Sequence, residues 1–241
     1  MLKIIIPLAG SSELYTNAGF SYPKPLVEID GKPMIQVVIE QFQSITEPFQ
    51  AVFILKDEDV RKFHLDNTIR LLAPNSEIVK LKSDTKGALC SILMTIDSLS
   101  DEDRILVLNG DQIINHNFQA ILSSFDERKA DVGIVTFPSV HPRWSYARIE
   151  NGEVVQTAEK NPISNAAIAG FYFFAKAQDF FTNAFQCILD DVQINGNFFT
   201  SSVINEYILK NQKVVDFGIS KTDYHSFYAP QNLQEYLKAQ K

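Results

Sequence analysis

The sequence predicts one α/β domain in which a parallel sheet is extended by hairpin strands. Three observations carry this reading. Short apolar runs alternate with segments of helical spacing through the first half, giving the order βαβαβα. The second half turns strand-rich around Asn151-Gly152, a dipeptide suited to the tight two-residue hairpin turn, before helices return. A chain of 241 residues that is 45% apolar and 21% charged, with 18 Phe and 8 Tyr, can bury a sizeable core, which excludes wholesale disorder.

Taken in order, residues 2–8 form a continuous apolar run that stops at Ala9-Gly10, as expected of a buried strand emptying into a loop. From Pro33, the positions Met34, Ile35, Val38, Phe42 and Ile45 recur at helical spacing and predict a helix packed back on that strand. A strand over 51–55, a less regular helix over 57–72, a strand over 77–81 and a helix over 87–99 continue the alternation. The run 104–108 repeats the buried-strand pattern and ends at Asn109-Gly110-Asp111; Phe118, Ile121, Leu122 and Phe125 then mark a helix. Strands follow over 131–137, 145–149, 154–158 and 167–174, helices over 177–189 and 198–210, a strand over 213–217, and a final amphipathic helix opening at Pro230. Parallel sheets place ligand sites at the carboxyl ends of their strands, where Gly10 and Asp111 both fall. There is no linker, low-complexity tract or internal repeat.

Formal charge is −7, from 22 Lys and Arg against 29 Asp and Glu. That balance argues against a protein held to nucleic acid or anionic lipid by a basic field, so phosphate must be bound locally. Cys90 and Cys187 stand at unrelated spacing in apolar surroundings and suggest neither a zinc site nor a disulfide framework. No run approaches the roughly 20 apolar residues that span a bilayer, and the first residues run straight into a strand rather than a signal peptide. A cytoplasmic protein is expected.

The segment 7–34 is the richest in chemistry. A strand end with Gly10 is followed by Ser11-Ser12, by Pro23-Lys24-Pro25-Leu26 and by Gly31-Lys32-Pro33-Met34. Backbone N–H groups of a small-residue turn can face phosphate oxygens, and a lysine between two prolines is a preoriented point charge. Each piece has an ordinary reading as polar loop and surface lysine; the ordered combination is far more specific. Asp111 can hold a cation or cap the turn after Gly110. Glu159-Lys160 is a ligand pair or a solvated strand end, and Gly87 permits close approach of backbone to a planar base or makes an ordinary turn. Trp144 and Tyr146 offer aromatic faces that suit a sugar ring or other apolar group, or belong to the core. His141 and Arg143 would suit an acidic substituent. Asn195-Gly196-Asn197-Phe198 presents polar groups to a ligand or caps a helix.

From Pro7-Leu8-Ala9-Gly10 through Pro23-Lys24-Pro25-Leu26 to Gly31-Lys32-Pro33-Met34-Ile35, the chain resembles the opening of the sugar-phosphate nucleotidyltransferases. The resemblance extends over nearly the whole length. Thr85-Lys86-Gly87-Ala88 is similar to that family's nucleotide-base loop, Asn109-Gly110-Asp111 to its metal-binding strand end, and Ala158-Glu159-Lys160 to its sugar-phosphate motif. Ala169-Gly170 and Phe227-Tyr228-Ala229-Pro230 occupy two further signature positions. His141-Pro142-Arg143-Trp144-Ser145-Tyr146 and Glu159-Lys160-Asn161-Pro162-Ile163-Ser164 look like members from capsule and surface-polysaccharide pathways. The resemblance implies a Rossmann-like GT-A three-layer sandwich with a mixed central sheet. It implies a single domain over 1–241, with 1–130 mainly binding nucleotide and 131–241 mainly binding acceptor.

The implied reaction moves NMP from an NTP to a sugar phosphate or similar phosphorylated metabolite and releases pyrophosphate; capsule-pathway likeness leans the base toward CTP. In the catalytic set, Lys24 would neutralise the α- and β-phosphates, Asp111 would hold Mg2+, and Lys160 would bind the attacking phosphate. Leu8, Ala9, Gly10, Ser11, Ser12, Lys86, Gly87, Asn109 and Gly110 would bind nucleotide. Trp144, Tyr146, Glu159, Lys160, Gly170 and Asn195 would bind acceptor. Partners are then an NTP and a phosphorylated small molecule, with no nucleic acid and no membrane insertion; homo-oligomerisation stays open.

Three positions depart from the family pattern. Ser12 and Leu14 stand where its glycine-rich signature has a second glycine and an arginine, and Leu14 cannot replace a guanidinium fork. Ser226 stands where many relatives carry a second metal-binding aspartate, with Asp223 close by in sequence. These departures define the alternative, a non-catalytic regulatory binder of nucleotide or nucleotide sugar. A GT-A glycosyltransferase is a third reading, disfavoured because Asp111-Gln112-Ile113 lacks the paired carboxylates common at that metal site.

Overall fold

The computed structural model describes residues 1–240. In chain order, β1 (Leu2–Pro7) is followed by the short helix α1 (Glu13–Asn17), a single 3-10 turn (Lys24–Leu26), and a two-residue hairpin of β2 (Glu28–Ile29) and β3 (Lys32–Pro33). Helix α2 (Met34–Glu40) tightens into a 3-10 turn (Gln41–Ser44) before β4 (Phe49–Lys56). The helix expected over 57–72 is two helices, α3 (Asp57–Phe63) and α4 (Leu65–Leu72), because His64 adopts a left-handed conformation (φ 52°). Its N–H closes α3 on the Val60 carbonyl (3.0 Å), while its own carbonyl accepts from Asn67 and opens α4.

Strand β5 (Glu77–Leu81) leads to α5 (Ala88–Leu93) and a separate 3-10 turn (Ile96–Ser98), so the helix expected over 87–99 is also divided. Then come β6 (Arg104–Leu108), a short β7 (Gln112–Ile114), and α6 (Phe118–Glu127), capped by Asn117 Oδ1 accepting the Ala120 N–H at 2.8 Å. Strands β8 (Val132–Pro138), β9 (Ser145–Glu150), β10 (Glu153–Glu159) and β11 (Ala166–Phe174) precede α7 (Ala177–Leu189) and α8 (Thr200–Leu209). Strand β12 (Val214–Gly218), the short β13 (Tyr224–Ser226) and α9 (Pro230–Ala239) complete the described chain.

Nine strands form one sheet, ordered β10-β9-β11-β6-β1-β4-β5, with β8 paired to β11 and β12 to β8. Strands β1, β4, β5 and β6 are parallel, and the hairpin β9–β10 enters through antiparallel β11, so the sheet is mixed as expected. Strand β11 pairs with β6 from the first half and with β8 and β9 from the second, so both halves share one sheet.

Alternation along the strands builds three layers. Ile4 and Ile6 of β1 pack with Phe42, Ile121 and Phe125 on one face, whereas Ile5 joins Leu89, Phe180 and Ile204 on the other. A smaller third cluster was not legible in the sequence pattern. Tyr15, Val27, Ile29, Met34, Ile113, Phe227 and Leu233 meet beyond the sheet and tie α1, the β2–β3 hairpin, β7 and α9 together. Each fully buried side chain of this size contributes roughly 1.5–3 kcal/mol. That cluster fixes two loops, those after β1 and β6, against each other.

Candidate active site

The loop after β1 begins with Leu8, which is buried and still continues the sheet through its N–H to the Ile54 carbonyl (2.8 Å). Ala9 is half-buried, Gly10 and Ser11 are exposed, and Ser12 is half-buried. Among the described residues, the backbone N–H groups of Ala9, Gly10, Ser11 and Ser12 donate to no protein acceptor. Four such donors in succession on a small-residue loop suit an anion. Ser12 does more than flank this loop: its carbonyl accepts from Tyr15 and Thr16 to start α1, and its hydroxyl accepts the Lys24 N–H at 3.0 Å. The side chain that replaces the expected second glycine therefore ties the two ends of the loop together.

Lys24 points to the end of β6. Its Nζ lies 2.6 Å from Asp111 Oδ2, with only 19% and 16% of the two side chains exposed. Shielding strengthens this ion pair relative to a solvated one, and its geometry joins two residues 87 positions apart. Leu14, by contrast, is 46% exposed and brings no charge to the loop.

The turn carrying Asp111 is held from behind. The Asn109 N–H (3.0 Å) and Gln112 Nε2 (2.9 Å) both donate to the Gly170 carbonyl, and the Phe227 N–H donates to the Asp111 carbonyl at 2.7 Å. Gly170 sits where the β11 register with β8 shifts, at φ 39°. A Cβ there would run into the Asn109 side chain and stand 2.6 Å from Gln112 Oε1. Gly170 is buried under Asn109 and Gln112, which corrects the expectation that it touches acceptor: its carbonyl positions the Asp111 turn. Tyr15 adds a second brace, donating its hydroxyl to the Phe227 carbonyl at 2.7 Å. Burial first, and the Asp111 charge second, push that phenol well above its ordinary pKa, so it stays a donor.

Strand β13 pairs antiparallel with β7, setting Ser226 opposite Gln112 and Tyr224 opposite Ile114. Ser226 therefore occupies the place beside Asp111 without supplying a carboxylate. Asp223 lies at the other end of this ribbon, its carbonyl accepting from Asn115, and cannot stand in for the missing acid. No group of three or more His, Cys, Asp or Glu gathers among the described residues. The donor set fits a magnesium ion held by the single Asp111 carboxylate, since Mg2+ completes its shell with waters and substrate phosphates.

On the far side, Gly87 (φ 94°) lies so close to the chain before α8 that a Cβ would stand 2.8 Å from the Phe198 N. Reciprocal bonds, Phe198 N–H to the Lys86 carbonyl (2.9 Å) and Leu89 N–H to the Phe198 carbonyl (3.2 Å), lock this contact. Lys86 itself is exposed. Asn195 and Gly196, both at positive φ, make the tight turn closed by Ile194 and Asn197, and Asn195 is exposed. It does not cap α8, which starts at Thr200 after an extended Phe199.

Lys160 follows β10 at φ 53°, donates its N–H to the Trp144 carbonyl (3.0 Å) and holds its ammonium 4.9 Å from the Phe199 ring centre. Glu159 faces inward, where Ser201 Oγ (2.8 Å) and Ser145 Oγ both donate to Oε2. Trp144 is half-buried and packs on Phe137 and Tyr224. Tyr146 departs from expectation: it is 0% exposed and donates its hydroxyl to the His141 carbonyl, so it supports the loop from within the core and presents no face to an acceptor.

The structure thus joins Lys24 to Asp111, Asn109 to the Gly170 bulge, Gly110 to Leu8 at the end of β1, Lys86 and Gly87 to Phe198, and Lys160 to Trp144. Phe198 and Phe199 link the loop of Gly87 to Lys160, and Tyr224, whose hydroxyl donates to Gln112 Oε1 (3.2 Å), links Trp144 to the Asp111 turn. Sequence reasoning gave Phe227 only as part of a signature and missed Tyr15, Gln112 and Tyr224, all of which act around the ribbon β7–β13. Two-residue and three-residue strands carry too little periodicity to be seen.

A family model described as Nucleotidyl transferase matches residues 18–222. The UTP–glucose-1-phosphate uridylyltransferase AglF of Haloferax volcanii is 27% identical over 182 residues, covering 73% of each chain. The bifunctional protein GlmU of Methanocaldococcus jannaschii is 26% identical over 177 residues; the match covers 73% of this chain but only 40% of that longer protein. Among solved structures, the nucleoside-diphosphate-sugar pyrophosphorylase from Vibrio cholerae superposes with a TM-score of 0.86 at 22% identity, covering 98% of this chain and 99% of that one. That likeness establishes the Rossmann-like architecture.

Proposed function

The chain belongs to the nucleotidyl transferase family of enzymes, and from that premise we propose that it moves an NMP group from an NTP to a sugar phosphate, releasing pyrophosphate. The Lys24–Asp111 pair beside four unpartnered N–H groups is the observation that carries this reading. Attacking phosphate and α-phosphate are both anionic; at about 4 Å, two unit charges repel by roughly 4 kcal/mol at an effective dielectric near 20. The chain's first task is to offset that repulsion.

The N–H groups of residues 9–12 receive triphosphate oxygens, and Lys24 turns from Asp111 to the α- and β-phosphates. Asp111 is then free to hold Mg2+, which when bound supplies positive charge at the α-phosphate. Gly87, kept flat against Phe198, lets the base approach the backbone. Lys160 takes the phosphate of the acceptor, and Glu159, already accepting from Ser145 and Ser201, has its remaining acceptor capacity for sugar hydroxyls. The inline partners are thereby held in one cleft, which is the larger part of the catalytic task.

For the base we favour cytosine, and for the pathway a surface-polysaccharide precursor, on the likeness of residues 141–146 and 159–164 to capsule-pathway members. A sugar phosphate as acceptor is favoured by the glucose-1-phosphate uridylyltransferase activity for which the Haloferax volcanii relative is named. Pyrophosphate release with each of the four NTPs across a panel of phosphorylated sugars tests the proposal. Leu14, exposed and uncharged, and Ser226, beside Asp111 without a carboxylate, favour a second reading, a non-catalytic binder; nucleotide binding with no pyrophosphate from any pair would select it.

A further inference from the structure

Arg143 and Lys221 come together from distant parts of the chain on the wall formed by Phe137, Trp144 and Tyr224. The Arg143 guanidinium carbon lies 4.6 Å from the centre of the Trp144 ring, and Lys221 Nζ lies 4.6 Å from that of Phe137. Those rings are themselves packed, Phe137 on Trp144 at 5.5 Å and both on Tyr224 at 4.3 and 5.6 Å. Neither cation forms an ion pair among the described residues. The Lys221 ammonium is held below its ordinary pKa by burial and by the charge of Arg143. The indole Nε1 of Trp144 is buried and lacks an acceptor.

Two unneutralised cations on one aromatic platform, beside an N–H without a partner, form an arrangement that an anion would relieve. Its position says which anion. Trp144 bonds Lys160 through its carbonyl, and Tyr224 reaches Gln112 next to Asp111, so the platform adjoins the residues assigned to the acceptor rather than the loop after β1.

We propose that Arg143 and Lys221 bind a second acidic group of the acceptor, a carboxylate or second phosphate, beyond the phosphate taken by Lys160. The proposal rests on nucleotidyl transfer only for calling that molecule the acceptor. Arginine supplies a planar fork for either oxyanion and lysine a mobile point charge, while the rings keep both side chains extended. Specificity would then favour doubly acidic sugars over neutral ones.

Calorimetry with three acceptor probes and CTP tests it: glucose 1-phosphate, glucuronate 1-phosphate, glucose 1,6-bisphosphate and CTP, each titrated into the wild-type protein and an Arg143→Met, Lys221→Met double variant. Wild type is expected to bind at least one doubly acidic probe about tenfold or more tightly than glucose 1-phosphate, and the probe preferred tells carboxylate from phosphate. The double variant is expected to lose that preference, keeping its affinity for glucose 1-phosphate and for CTP. Equal affinities in wild type, absence of binding, a preference that survives in the variant, or a loss confined to CTP would each overturn the proposal. A preference present without any pyrophosphate release would instead sink the nucleotidyl-transfer reading and leave this site standing.

Discussion

Replacing Gly170 by alanine should damage both stability and the site, because one carbonyl and one missing side chain hold the Asp111 turn. At φ 39° an alanine pays about 1 kcal/mol for left-handed backbone. Its Cβ would overlap the Asn109 side chain and stand 2.6 Å from Gln112 Oε1, an overpacking worth roughly 1–3 kcal/mol. Displacing Gln112 weakens its 2.9 Å bond to the Gly170 carbonyl, about 1 kcal/mol more. The sum, about 3–5 kcal/mol, is a large part of an ordinary domain's stability. Urea unfolding followed by circular dichroism should show the midpoint falling while the slope stays constant. Pyrophosphate release should drop by about 10² or more, since a displacement near 1 Å at a catalytic carboxylate has that effect. A variant within about 0.5 kcal/mol of wild type and equally active would refute the assignment of Gly170 as the support of this turn.

Tyr15→Phe should cost about 1–3 kcal/mol in the same unfolding measurement, by leaving the buried Phe227 carbonyl without its donor; an unchanged midpoint would remove the brace from the account. Leu14→Arg should raise kcat for pyrophosphate release if the missing cation limits turnover, and an unchanged or lower rate would show that the charge is supplied elsewhere. The two thiols should differ under iodoacetamide at pH 8. Cys187 is 0% exposed and pushed up to about 12 by burial, then by Glu206 and Asp190, so it should stay unmodified, while half-buried Cys90, also raised by burial, reacts slowly. Because Cys90 lies in α5, directly after Gly87, saturating nucleotide should slow its modification further; faster labelling of Cys187, read by peptide mass, would contradict the packing of α7.

The parallel core was legible because its strands are long apolar runs that alternate with amphipathic helices, and Leu2–Pro7, Arg104–Leu108 and Ala166–Phe174 fall where the pattern puts them. The helix breaks were not: His64 fits the helical spacing on both sides and only its left-handed backbone divides α3 from α4. At the site, the family resemblance pointed to Lys24 and Asp111, but their contact is a tertiary fact no spacing contains. For Tyr146 the sequence left acceptor and core both open, because an aromatic beside a polar loop looks alike whether it faces inward or outward. The short ribbon β7–β13 stayed hidden, and with it the reason that Ser226, not Asp223, stands beside Asp111.

The central claim is that Asp111, paired with Lys24 when no substrate is present, is the acidic residue on which nucleotidyl transfer turns. Its most direct test is the rate of pyrophosphate release by wild type and by Asp111→Asn, measured with the best NTP and sugar phosphate at saturating Mg2+, with circular dichroism confirming the fold. A fall of about 10² or more in a folded variant is the predicted result; a folded variant releasing pyrophosphate at the wild-type rate would contradict it.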